Sequence, residues 1–136
     1  ITIRVPTPLV DPGGEPINLV SPASPSFTQA GMRLREARQA LRDRTPEDAV
    51  QACRKVLEII GELDPPATQA EIKKVTDTKL RDARQRWSAL YWDLHSLTSA
   101  ASHEDEVARG FNWSRQDADA VLAATAGLLG RAMQGR

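Results

Sequence analysis

Two histidines are the side chains of this sequence best suited to acid–base chemistry. His95 and His103 carry imidazoles that titrate near neutral pH, so any proton transfer would fall to them first. A separation of eight positions is not a metal-ligand spacing, and the single cysteine, Cys53, excludes a zinc cage built from thiolates. We therefore predict no metal site. The alternative roles are structural: His95 as a packed or surface histidine, and His103 as a positive charge at a helix C-terminus.

Arginines and tryptophans form the second set of candidate binding residues. Arg35, Arg38 and Arg42 share one face of a predicted helix and could bind RNA, phosphate or an acidic partner. The alternative is a solvated face whose long side chains cover apolar neighbours. Trp87 falls on an apolar stripe, which predicts core packing, whereas Trp92 lies off the stripe and is predicted to be exposed. We assign Trp92 to a protein interface rather than to base stacking, because no single-strand-binding pattern accompanies it.

The composition excludes several other classes of protein. Eighteen basic and eighteen acidic residues cancel, so no overall field attracts nucleic acid or anionic lipid. No apolar run approaches the roughly 20 residues that span a bilayer, and no signal-peptide pattern is present. There is no G-x-S-x-G nucleophile motif and no phosphate loop, so we predict no cofactor. One cysteine fits a reducing, cytoplasmic location. A first residue of Ile1 indicates a piece of a longer protein.

The elements that would position these residues are helices behind an extended arm. Six of the nine prolines precede residue 26, where regular helix cannot persist. We therefore predict an arm over 1–26, with period-2 patterns that allow a short hairpin, and a helical domain over 27–136. From Ser26 the apolar period becomes helical. The fold class that follows is all-α, a bundle of about four helices with a Pro-rich N-terminal arm.

Capping residues and apolar periodicity set the predicted helix bounds. The first helix covers about 27–43, and Thr45 with Pro46 starts a second that ends at Asp64. A third, longest helix runs from about 68 to 102, with a bend near Thr76-Asp77-Thr78, where three weak helix formers meet. Residues 103–113 lack an apolar period and are predicted to form a loop. Ser114, with Asp117 three residues on, starts the last helix.

The order and content of these helices resemble a known family. An Ala-Arg-rich stretch at 34–41 precedes an Ala-Val-rich one at 46–53, a long helix ends in the small-residue and histidine segment 97–103, and the last helix has an acid-alanine start at 114–120 and an Ala-Gly-Leu close at 124–129. These features are similar to HEPN domains, especially the C-terminal domains of abortive-infection proteins. The resemblance covers about residues 27–132 and implies a helical bundle that forms homodimers.

The resemblance also bears on catalysis. Active HEPN members are metal-independent ribonucleases with an Arg-x4-6-His motif at the dimer interface. If His103 is the family histidine, the arginine would occupy one of the positions 96–98, which hold Ser96, Leu97 and Thr98. The resemblance therefore implies a degenerate, noncatalytic member.

We accordingly expect a noncatalytic interaction domain of a defence-related or signalling protein, such as one with an antiviral role. It would act by self-association, most simply as a homodimer, or by recognising RNA or a protein. The first alternative is an endoribonuclease that uses His103 or His95 with an arginine from elsewhere. The second is a structural assembly module of a larger particle.

Overall fold

A computed structural model describes residues 25–101 and 111–135 of the chain. Within these residues the fold is all-α and contains no strand. Residues 25–101 and 111–135 form five α-helices, namely α1 (Pro25–Asp43), α2 (Pro46–Leu63), α3 (Gln69–Lys73), α4 (Ala83–Ser99) and α5 (Arg115–Gln134). The predicted helical bundle is therefore confirmed. The predicted arm hairpin lies outside the described residues.

The starts of α2 and α5 follow the predicted capping chemistry. The Thr45 side chain accepts a hydrogen bond from the Asp48 backbone N–H at 3.1 Å, and the Asp48 carboxylate accepts one from the Thr45 N–H. Ser114 and Asp117 form the same reciprocal pair at the start of α5. Each pair satisfies backbone donors that have no partner inside the helix, which is why both helices begin where the sequence predicts.

The structure corrects the predicted third helix. Instead of one bent helix over 68–102, the chain forms α3, a 3₁₀ turn at Thr78–Leu80 and then α4. Asp77 accepts a hydrogen bond from the Lys79 N–H, and Asp82 caps α4 in a reciprocal pair with Gln85. The predicted bend is thus a full break, because two capping aspartates start new helical segments within this stretch.

The four long helices run alternately down and up the bundle. Arg115 at the start of α5 donates to the Leu41 carbonyl near the end of α1, so these two helices are antiparallel. Gln51 near the start of α2 donates to the Ala101 carbonyl just beyond α4, and Tyr91 of α4 donates to Leu57 of α2. One end of the bundle, which we call the upper end, therefore holds the start of α1, the start of α4 and the end of α5.

The core is centred on α2. It packs closely against both α1 and α5, while α4 lies mainly against α2 and barely touches α5. Leu57, Val50 and Val56 of α2 are fully buried. Two polar side chains in the core, Ser88 and Thr125, are also satisfied: Ser88 accepts from the Ala67 N–H, and Thr125 donates to a carbonyl of its own helix. The arrangement leaves one side of the bundle open, between α4 and α5.

No helix in the described part of the chain combines the length and apolar character needed to cross a membrane.

Candidate protein-interaction groove

His95 lies in an aromatic cluster and not in an acid–base arrangement. Its ring is half-buried and stacks on Tyr91 with ring centres 6.1 Å apart, and it meets the edge of Trp92 at the same separation. Its backbone carbonyl accepts hydrogen bonds from Thr98 and Ser99. Among the described residues, no acid or base is recorded in hydrogen-bond contact with its imidazole. His103 lies outside the described residues, so the structure does not bring the two histidines together.

The three candidate arginines lie together on the outer face of α1. Arg35, Arg38 and Arg42 are exposed, and none of them forms an ion pair with a described residue, whereas nearby Arg33 pairs with Glu36 at 3.2 Å. Three unpaired cations on one helical face are available to a negatively charged partner. Their role stays a prediction.

The observed exposure of the two tryptophans of α4 is opposite to the prediction. Trp92 is half-buried against the core, and its indole N–H donates to the Ala67 carbonyl at 2.8 Å. Trp87 is 43% exposed, and the Arg131 guanidinium lies 4.2 Å from the centre of its ring. The hydrogen bonds of Tyr91 to the Leu57 carbonyl and of Trp92 to the Ala67 carbonyl hold this side of α4 toward α2 and the 64–67 segment. The aromatic side chain placed for an interface is therefore Trp87.

A groove lies between α4 and α5, and we call it the α4–α5 groove. It begins with Trp87 at the upper end of the bundle. This part of the groove encloses a cavity of about 250 Å³. Its lining residues are Trp87, Leu90 and Leu94 from α4 and Ala124, Gly127, Leu128 and Arg131 from α5. Leu90 is 49% exposed, and a methyl group built on Gly127 would meet no atom within 4 Å. Large side chains on α4 thus face small residues on α5 across an open gap.

The groove continues toward the lower end around Phe111. A second cavity of about 300 Å³ lies there between Leu97, Phe111, Trp113 and Val121, with Asp117 at its edge. Leu97 and Phe111 are 40% and 41% exposed. The Trp113 indole N–H is buried without a hydrogen-bond acceptor among the described residues. A buried donor that lacks an acceptor costs about 1–3 kcal/mol, so this end gains stability from any segment that brings a carbonyl to it.

The two cavities follow one another along α4 and α5 and together form an exposed apolar face. Four large apolar side chains with 40% or more exposure line it, namely Trp87, Leu90, Leu97 and Phe111. Contiguous apolar patches of this kind mark protein interaction sites, since single scattered hydrophobic residues are normal but clustered ones are not. Sequence analysis missed the groove because the same apolar stripe on α4 predicts burial whether or not α5 covers it.

Comparison with known proteins assigns no family or function to the chain. No protein-family model, curated protein or solved structure matches the chain. The groove and the arginine face therefore carry the functional argument by themselves.

The single cysteine of the chain, Cys53, is buried in the core. Burial raises the pKa of the Cys53 thiol from 9.0 to about 11, with a hydrogen bond between Cys53 and Thr125 acting in the opposite direction. A thiol with so high a pKa holds almost no thiolate at neutral pH, which makes it a poor nucleophile. Within residues 25–101 and 111–135 there is no group of three histidine, cysteine or carboxylate side chains placed to hold a metal ion.

Proposed function

We propose that this chain is a noncatalytic, HEPN-like helical interaction domain of a cytoplasmic defence-related or signalling protein. It acts by self-association through the α4–α5 groove. The observation that carries the proposal is the row of exposed apolar side chains formed by Trp87, Leu90, Leu97 and Phe111 beside the small residues of α5. The aromatic cluster around His95, which lacks an acid–base partner among the described residues, favours this role over a ribonuclease.

The chemistry of the groove fits a protein partner. The centres of protein interfaces are poor in charge and rich in aromatic residues and arginine, and such residues supply most of the binding energy. Trp87 with its stacked Arg131 has this composition. Leu90 projects from α4, and the small residues Ala124 and Gly127 leave space on α5. A partner can therefore pack closely against both helices.

Replacing Leu90 by glutamate tests the proposal. A half-exposed leucine contributes little to folding, so the chain should stay folded, but a carboxylate buried at an interface without a partner costs several kcal/mol. We expect dimerisation to weaken by at least about a hundredfold, the equivalent of ~3 kcal/mol. Light scattering at increasing concentration measures this as a loss of the two-chain mass.

Leu80→Glu is the matched control, because Leu80 is 75% exposed on the 3₁₀ turn and lies outside the groove. It should leave the mass of the dimer unchanged. Equal masses for the wild type, Leu90→Glu and Leu80→Glu would contradict self-association through the groove.

The arginine face supports RNA binding as a second candidate function. Arg35, Arg38 and Arg42 are exposed, close together and unpaired among the described residues. If they contact three phosphates of single-stranded RNA, log K should fall with log salt with a slope of about −2. The triple Arg→Gln variant should reduce that slope to near zero, whereas Arg33→Gln, which removes an ion-paired arginine, should change it little. A salt slope that the triple variant does not alter would remove this candidate.

A further inference from the structure

We infer that the occupant of the α4–α5 groove is the N-terminal arm of a second copy of this chain, with residues 15–22 lying in the groove. This inference rests on the proposed function, because it names the segment through which the self-association takes place. Two copies would exchange arms symmetrically, each groove receiving the arm of the other chain. The groove and the arm segment match in length and in polarity, and the charges at the two ends of the groove favour one direction of the arm.

The length of the arm segment matches the length of the groove. A helix of 17 residues such as α4 is about 25 Å long, and an extended segment of eight residues spans about the same distance. Twenty-four residues precede Pro25, so the chain is long enough to reach a neighbouring molecule and still place this segment fully along the groove.

The side chains of the segment match the groove in polarity. Ile17 and Leu19 are two residues apart, so both face the same side of an extended chain. No residue from 16 to 22 is charged. Two steps along an extended chain advance about 6.6 Å, and the three residues from Gly127 to Ala124 cover about 4.5 Å of helix, so Ile17 near Gly127 places Leu19 within about 2 Å of the level of Ala124. Both positions on α5 offer open space for an aliphatic side chain.

The charges at the groove ends fix the direction of the arm. With Ile17 near Gly127 and Leu19 near Ala124, Glu15 lies at the upper end beside Arg131. The opposite direction would bring Glu15 toward Asp117 at the lower end, where two carboxylates repel. The favoured direction thus pairs opposite charges at the upper end.

This direction also decides between the chain's own arm and that of a second copy. The arm joins α1 at the upper end of its own bundle, so its own residues would enter the groove at the top with Glu15 pointing down. An antiparallel second copy brings its arm in from the lower end and places Glu15 at the top.

A disulfide between two differently substituted chains tests the inference. One full-length chain carries Leu19→Cys and the other Ala124→Cys, and equal amounts are mixed under mild oxidation. Disulfide formation requires Cβ atoms within about 4.5 Å, so it reports direct proximity. We expect the mixture to form the mixed disulfide at least about tenfold faster than a mixture of Leu19→Cys with Ala123→Cys, since binding raises the effective concentration of one thiol near the other.

The control uses a neighbouring alanine of α5, and the readout identifies the linked cysteines directly. Ala123 is an exposed alanine next to Ala124 that does not line the groove. Native Cys53 stays in both chains, because it is buried. Mass spectrometry identifies the linked peptides. Equal rates for the two mixtures, the absence of a mixed disulfide, or a disulfide between two Ala124→Cys chains would overturn the inference.

Failure of this inference is separable from failure of the proposed function. If Leu90→Glu gives monomers while Leu19→Asp leaves the dimer intact, the groove mediates self-association but the arm does not occupy it. If neither substitution changes the mass, the groove itself has no role in self-association. If both give monomers, the groove and the arm act together as inferred.

Discussion

Replacing Leu57 by alanine is expected to destabilise the folded chain by about 3–5 kcal/mol, the largest effect of any single truncation considered for this core. Leu57 is fully buried at the centre of α2, where α1, α4 and α5 all converge on this helix. Truncating this side chain loses the free energy gained when its methyl groups move from water into the core. It also leaves a cavity that three packed helices cannot close. Since single domains are stable by roughly 5–15 kcal/mol, this loss is a large fraction of the free energy of unfolding.

Urea denaturation followed by circular dichroism measures this loss. Leu80→Ala is the control, because a side chain that is 75% exposed should change the free energy of unfolding by less than about 0.5 kcal/mol. A Leu57→Ala variant with a wild-type midpoint would show that α2 is not the centre of the core.

Gly61→Ala is expected to destabilise the chain by about 1–3 kcal/mol, although alanine is the better helix former. Gly61 lies near the end of α2, and a methyl group there would overlap the Tyr91 hydroxyl. That hydroxyl is held in place by donating to the Leu57 carbonyl at 2.7 Å, so it cannot move away without losing its hydrogen bond. The helix preference for alanine is worth only about 1 kcal/mol and is outweighed.

A double-mutant cycle with Tyr91→Phe isolates this contact. Without the hydroxyl, the nearest ring atom is 3.3 Å from the added methyl group, a separation that a small shift relieves. Gly61→Ala should therefore cost at least about 1 kcal/mol less in the Tyr91→Phe background than in the wild type. Additive free energies of unfolding would contradict the close approach of α2 and α4 at this point.

The sequence predicts most of the fold, because the signals that set it are local. Thr45, Pro46 and Ser114 mark helix starts through hydrogen bonds made within three residues, and the structure confirms them. The helical apolar period that begins at Ser26 predicts the all-α fold class, which the structure also confirms. The break between α3 and α4 is only half predicted: weak helix formers locate it, but the capping by Asp77 and Asp82 decides that the helix stops and restarts.

The candidate site is harder to predict, because it depends on where two helices fail to meet. The stripe that contains Trp87, Leu90 and Leu97 has the period of a buried helix face, and the sequence alone assigns it to the core. Its exposure follows from the position of α4, which the Tyr91 and Trp92 hydrogen bonds fix against α2 and the 64–67 segment. Apolar periodicity indicates that a helix face is to be buried, but not whether the same chain or a partner buries it.

Hydroxyl-radical footprinting as a function of protein concentration tests the central claim most directly, because it reads the exposure of individual side chains. We expect oxidation of Trp87 and Phe111 to fall several-fold between dilute monomer and concentrated dimer, as partner contacts cover the groove. Oxidation of Leu80 and Met32, which are exposed outside the groove, should not change. Unchanged oxidation of Trp87 and Phe111, while the mass rises to twice the 14.9 kDa of one chain, would contradict self-association through the α4–α5 groove.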